Sequence, residues 1–260
     1  MVSSELFRIF AASKEFINQI LHNMELRNHI EAIIKETFDI IDNLYKENQE
    51  IGNGIFNSGS SRLVFPKYRN KDKIRVSEQE LRFLFVELFN KYCTDKELNL
   101  FYSIETPSEE PYDFGATPKK HCIAPEGESA QFDMVIFNES KERVCLIEFK
   151  NNSNDAGEHE KDFLKLSVEG KGKEKLCYFI SLAESSDNGT LGENQDAKQG
   201  IIPKFKRFKD NDEICYDNIT YICHCINNRG TGFNTIYAGI VTDKVKDNYG
   251  WEEISKLFEK

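Results

Sequence analysis

The sequence places an acid and a base side by side in one short apolar segment. In VCLIEFK, Glu148 and Lys150 stand two residues apart, and on a β-strand residues i and i+2 face the same way. Asp133 occurs just upstream, in the apolar segment SAQFDMVIF. Carboxylates can hold Mg²⁺, which neutralises charge developing on a phosphate and activates water. These residue types indicate hydrolysis of a phosphodiester bond.

A hairpin between the two segments would bring the carboxylates together. Asn138-Glu139-Ser140-Lys141 has the composition of a turn. If residue 138 pairs with 141, position 133 lies near 146 and within reach of 148 on the neighbouring strand. Asp133 and Glu148 can then share one metal ion. On its own, an acid-X-Lys triplet at a strand edge is usually an exposed salt-bridge pair, so the interpretation depends on the surrounding elements.

Those elements predict a mixed α/β sheet with helices on both faces. A helix from Ser77 to Tyr92 begins with a capping-box pattern formed by Ser77 and Glu80. A second helix, at 158–168, separates the third and fourth strands. Strands are predicted at 98–104, 132–137, 144–149, 177–182, 219–226 and 235–241, with a closing helix at 251–258. The Pro- and Gly-containing stretch 106–129 is expected to be a long surface excursion.

The N-terminal part is predicted to be a helical hairpin. Helices are expected at 4–22 and 26–48, joined by a turn around Asn23. The Gly-, Asn- and Ser-rich stretch 52–61 marks a linker, and a short strand is expected at 63–68. The predicted organisation is therefore a hairpin at 1–50, a linker at 51–61 and a catalytic domain at 62–260. The hairpin either packs on that domain or serves as an arm for dimerisation or DNA clamping.

With its order of helix, strand, Asp strand, E-X-K strand and helix, the segment 75–185 resembles the PD-(D/E)XK superfamily of restriction-endonuclease-like nucleases. The resemblance implies a restriction-endonuclease-like fold and a Mg²⁺-dependent endonuclease, with Mn²⁺ able to substitute. It implies that Asp133 and Glu148 are metal ligands. It also implies that Lys150 positions the attacking water or stabilises the transition state. Phe132 stands where the superfamily pattern is often written with Pro, a frequent departure.

Superfamily members often add a glutamate from the helix before the sheet. In SEQEL, Glu78 lies roughly 50° from the centre of the apolar stripe and Glu80 roughly 110° from it. Glu78 is therefore the predicted third catalytic and metal-binding carboxylate, whereas Glu80 has a capping role as its alternative.

Two further residues are predicted to bind substrate. Gln131 precedes Asp133 by two positions and would share its strand face. Lys165 belongs to the KDxxKL pattern of the following helix, and the resemblance aims it toward the backbone of bound nucleic acid. A solvated or salt-bridging side chain is the alternative for both.

The net charge of −10 argues against a surface coated with phosphate-binding groups. Any nucleic acid, DNA rather than RNA on this interpretation, is expected to bind in a local groove, with basic stretches at 67–75, 171–175 and 204–209 as candidates. The seven cysteines are expected to be buried, reduced thiols, Cys145 and Cys177 among them. No apolar run is long enough to span a bilayer, so the chain is expected to be cytoplasmic.

Other activities lack their defining motifs. Cys223 and Cys225 would face away from His224 on a strand, which argues against zinc. The sequence contains no Walker, HExxH or GxSxG motif. Two alternatives to a nuclease stay open: a catalytically silent nucleic-acid or protein binding module on the same fold, and an assembly protein whose helical hairpin drives oligomerisation. Nucleases that cut both strands commonly act as dimers, so the resemblance allows a homodimer working in bacterial defence or DNA processing.

Overall fold

The computed structural model describes residues 21, 23–44, 55–56, 63, 65–66, 77–115, 122–151, 156–171, 175–183, 211, 213–215, 219–226, 233–239 and 250–252. Its helices are α1 (described over 23–44), α2 (Glu78–Asp95) and α3 (Ala156–Gly170). Its strands are β1 (Ile55–Phe56), β2 (Phe65–Pro66), β3 (Phe101–Asp113), β4 (Cys122–Ile123), β5 (Glu128–Phe137), β6 (Arg143–Asn151), β7 (Leu176–Ala183), β8 (Ile219–Ile226), β9 (Phe233–Gly239) and β10 (Gly250–Glu252).

Eight strands form one mixed sheet in the order β10-β9-β8-β7-β6-β5-β3-β4, and β1 and β2 form a separate antiparallel pair. The neighbours β3, β5 and β6 run antiparallel, whereas β6, β7 and β8 run parallel. The first parallel connection passes through α3, as a crossover between parallel strands requires. The predicted α/β class with a mixed sheet is confirmed.

Side chains alternate between two apolar layers on opposite faces of the sheet. Ile147 and Phe149 of β6 belong to a cluster with Phe85 of α2 and Ile41 of α1. Leu146 belongs to a second cluster, built on α3. Because successive residues of a strand point to opposite faces, the even-numbered positions 148 and 150 lie on the same side as Leu146, toward α3.

The hairpin between β5 and β6 is present, and the carbonyl of Asn138 accepts from Lys141 N–H at 3.0 Å, as a pairing of 138 with 141 predicts. The pairing is not with residue 141 alone, however. Asn138 donates its backbone N–H to the carbonyl of Glu142 at 3.0 Å. Lys141 adopts a left-handed backbone with φ of 64°, which accommodates a three-residue turn over 139–141. An irregularity between Ile136 and Phe137 shifts the pairing by one further residue, so Met134 stands opposite Ile147 and Asp133 lies next to Glu148, not opposite residue 146.

Several element predictions are corrected. Asn23 is helical, so the turn predicted around it is wrong, and the predicted first helix falls outside the described residues except for residue 21. The stretch 106–129 is not mainly a surface excursion, because β3 continues to Asp113 and pairs with the start of β5. Trp251 and Glu252 belong to β10, which pairs with β9 and is not helical.

Candidate active site

The site lies where β5 and β6 pass between α2 and α3. Asp133 comes from β5, and Glu148 and Lys150 come from β6. The backbone N–H of Phe149 donates to Asp133 Oδ2 at 2.7 Å, which fixes the Asp133 carboxylate beside the E-X-K strand. The structure therefore brings the three residues of the predicted site to one place.

Glu78 approaches this place from the first residue of α2. The predicted capping box forms, because Ser77 donates its backbone N–H to Glu80 Oε2 at 2.9 Å. This contact gives Glu80 a structural role and starts the helix at Glu78. The charges of Asp133 and Lys150 both act on the Glu78 carboxylate, which is one-third exposed.

Arg82 binds three carboxylates of the site. Its guanidinium contacts Asp133 and Glu105 and lies 3.6 Å from Glu78 Oε1, while its side chain is only 5% exposed. Glu105 adopts a left-handed backbone with φ of 51° beside these contacts. Such a conformation is unfavourable for residues other than glycine and tends to occur at functional sites. Sequence reasoning missed Arg82.

A second chain of charges joins β6 to α3. Asp162 Oδ2 lies 2.9 Å from Lys150 Nζ, and Asp162 Oδ1 lies 2.9 Å from Lys165 Nζ. Lys165 Nζ also donates to Glu148 Oε1 at 2.5 Å and to the carbonyl of Gln131 at 2.8 Å. Glu148, Asp162 and Lys165 are all at least 97% buried. Buried charges of this kind persist only when they are paired.

The surroundings raise the pKa values of three carboxyl groups of the site and of Lys150. Burial raises the pKa of Glu78, Asp133 and Glu148, and in Glu148 the neighbouring charge of Asp162 adds to the rise. Burial acts to lower the pKa of Lys150, but the nearby carboxylates of Asp162, Glu78 and Glu148 together raise it. Lys150 is therefore held as a cation.

The donor chemistry of the cluster fits Mg²⁺, which prefers oxygen ligands. In these ion pairs five carboxylates face three cations, which leaves two negative charges when all are ionised. A single divalent cation would neutralise that excess. The ligands are not assembled in advance, because the described residues contain no group of three or more His, Cys, Asp or Glu that could hold a metal ion. Arg82 and Lys165 contact the carboxylates of Asp133 and Glu148 instead.

The two predicted substrate-binding residues differ in exposure. Gln131 is exposed on β5, so its predicted contact with substrate stays a prediction. Lys165 is 2% exposed and is committed to Glu148 and Asp162, so the prediction that it points toward bound nucleic acid is corrected. The physical reason is that Lys165 lies on the buried face of α3, the helix that follows the E-X-K strand.

Arg82 and Asp162 were both detectable as violations of the apolar pattern. Arg82 lies between Leu81 and Phe85 on the buried side of α2, and Asp162 precedes the buried Phe163 on α3. A charged residue on the buried side of a helix requires a charged partner. That signal does not say which residue the partner is.

The remaining predictions away from the site have mixed outcomes. Cys145 and Cys177 are buried free thiols, as predicted. His224 faces Asp42 of α1, with His224 Nε2 lying 2.6 Å from Asp42 Oδ1, which gives this histidine a partner other than zinc. Of the candidate basic stretches, 67–75 and 204–209 lie outside the described residues. Among the residues described, no helix is both long and apolar enough to cross a membrane.

No family model matches the sequence, and comparisons with curated proteins and with solved structures found no match either.

Proposed function

We propose that this chain is a Mg²⁺-dependent nuclease, an endonuclease that hydrolyses phosphodiester bonds in DNA. The observation that carries the proposal is the hydrogen bond from Phe149 N–H to Asp133 Oδ2, which holds this carboxylate against the backbone of the residue between Glu148 and Lys150. The succession α2, β3, β5, β6, α3, β7 supports the resemblance to the PD-(D/E)XK superfamily. The restriction-endonuclease-like fold is part of the proposal.

In this proposal Asp133 and Glu148, with Glu78 from α2, hold Mg²⁺, or Mn²⁺ in its place. The ion supplies charge neutralisation at the phosphate and lowers the pKa of water. Lys150 stays protonated because Asp162 raises its pKa, so it acts as a hydrogen-bond donor and a positive charge and not as a proton acceptor. It orients the attacking water or stabilises charge on the phosphate.

The substrate is proposed to be DNA held in a local groove next to this site. The net charge of −10 leaves little attraction for phosphate over the surface as a whole. Gln131 lies two residues before Asp133 and is exposed on β5. It is proposed to contact the substrate. The same proposal includes action as a homodimer in the cytoplasm. The process it serves is proposed to be defence or DNA processing.

A binding module without catalysis is the second candidate, and one observation favours it. The carboxylates of Asp133 and Glu148 already have buried cationic partners in Arg82 and Lys165. A site of this kind is stable without metal, so a protein that only binds nucleic acid could retain it.

Plasmid cleavage distinguishes the two candidates. Supercoiled plasmid is incubated with Mg²⁺ or with EDTA, using the wild type and the variants D133N and E148Q. D95N and E139Q serve as matched controls, because Asp95 and Glu139 are exposed and lie outside the ion-pair cluster. Nicking or linearisation that requires Mg²⁺ and is lost only in D133N and E148Q supports the nuclease. Absence of cleavage of plasmid, branched DNA and RNA by folded wild type, together with retention of DNA in a binding assay, supports the binding module.

A further inference from the structure

Arg82 occupies the position of a counter-ion at the proposed metal site. Its guanidinium contacts Asp133 Oδ1, while the other carboxylate oxygen of Asp133 is held by the N–H of Phe149. We infer that Arg82 is a positioning residue that holds Asp133 in the metal-free protein and gives up this contact when a divalent cation binds. The inference rests on the proposed metal site.

Arg82 can release Asp133 without becoming an unpaired buried charge. Leaving a charge buried without a partner is strongly destabilising. Arg82, however, also contacts Glu105 and lies 3.6 Å from Glu78 Oε1. Glu105 is half-exposed and contacts the guanidinium from a residue with a left-handed backbone. It is therefore the partner that retains Arg82 after the exchange.

Asp133 stays in place during the exchange. The hydrogen bond from Phe149 N–H goes to Oδ2, whereas Arg82 contacts Oδ1. Loss of the Arg82 contact thus frees one oxygen while the other keeps the carboxylate beside Glu148. The cation and Arg82 compete for that freed oxygen, and their like charges repel at short distance.

Competition of this kind predicts opposite effects for two substitutions. Arg82→Gln removes the competing charge, so it should strengthen Mn²⁺ binding by about tenfold or more. Glu105→Gln removes the alternative partner and leaves Arg82 more firmly on Asp133, so it should weaken Mn²⁺ binding by about tenfold. Arg82→Lys keeps the charge and should bind Mn²⁺ with about the affinity of the wild type.

The test is a calorimetric titration of the full chain with Mn²⁺. Lys161→Gln and Glu139→Gln are the controls, because each changes the net charge as the matching test variant does while lying outside the Arg82 cluster. Tighter binding by R82Q, weaker binding by E105Q and unchanged binding by both controls support the inference. Controls that shift as much as the test variants would overturn it, because the effect would then be general electrostatics.

The result also separates the inference from the proposed function. Mn²⁺ binding by the wild type with no change in R82Q would overturn the role of Arg82 and leave the nuclease proposal standing. Absence of Mn²⁺ binding by the wild type would overturn both. If R82Q does not fold, E105Q decides: weaker binding supports the inference, and unchanged binding overturns it.

Discussion

The carboxylate of Asp162 on α3 lies 2.9 Å from the ammonium group of Lys150 on β6. The same carboxylate lies 2.9 Å from Lys165, which in turn contacts Glu148. The position of the proposed catalytic lysine therefore depends on a helix that follows it in the chain, and so does the charge of that lysine.

Asp162→Asn should destabilise the protein by about 3–5 kcal/mol, the usual effect of removing one partner from a buried ion pair. Lys165 and Lys150 lower the pKa of Asp162 against the effect of burial, so Asp162 is ionised at neutral pH. The loss should be fully present above the usual aspartate pKa of about 3.8 and should shrink as the pH falls below it, through the lower pKa of Asp162 in the folded protein. Urea unfolding of D162N and the exposed control D95N measures it, and equal losses in the two variants would contradict the prediction.

Lys150→Gln should reduce the rate of Mg²⁺-dependent plasmid cleavage by about 100-fold or more, because it removes a positioned donor and positive charge. Lys150→Arg preserves the charge and should retain more activity than K150Q. Lys161→Gln, a neighbouring lysine on α3 outside the ion-pair cluster, is the control. A K150Q rate equal to that of K161Q would exclude a chemical role for Lys150.

Glu78→Gln should change the dependence of stability on pH. Burial raises the pKa of Glu78 above its usual value of 4.5, so over the interval between these two pKa values the folded protein retains a proton that the unfolded chain has released. Its contribution to stability is fully present below about pH 4.5 and is lost as the pH rises through the folded-state pKa. The free energy of unfolding of E78Q relative to wild type should therefore increase as the pH rises from about 4.5 through the folded-state pKa of Glu78. Denaturant titrations of E78Q, of the wild type and of the exposed control E139Q across this range check the slope.

Ile41→Ala should show that α1 belongs to the core. Ile41 is fully buried in the cluster that contains Phe85 and Phe149, and truncation of such a side chain costs about 2–5 kcal/mol. Asn43→Ala, at an exposed position on the same helix, should cost far less. A small effect of I41A in urea unfolding would instead indicate an arm that packs weakly on the sheet.

The sequence predicted best where pattern and local chemistry agree. The alternation of side chains correctly predicted strand β6 and the common face of Glu148 and Lys150. The capping box correctly predicted where α2 begins. These features depend on residues close in sequence. They therefore need no knowledge of the tertiary structure.

Features that depend on distant partners escaped prediction. The pairing of β5 with β6 was displaced by two positions, one from the three-residue turn with its left-handed Lys141 and one from the irregularity between Ile136 and Phe137. Neither is apparent from the residue types. The length of β3 was hidden by its prolines, which the strand accommodates at an irregularity in its pairing with β5 between Pro107 and Pro111. Arg82 was missed because its three partners come from α2, β3 and β5.

The turn over 139–141 limits how this protein can vary through insertion and deletion. A strand displaced by one residue exchanges its two faces, so β6 would then direct Phe149 toward α3 and Glu148 toward the apolar layer of α1 and α2. Substitutions in the turn leave the alignment of the strands intact as long as residue 141 can adopt its left-handed backbone. We therefore expect natural relatives of this chain to differ freely in the identity of residues 139 and 140 and to keep the length of the turn constant.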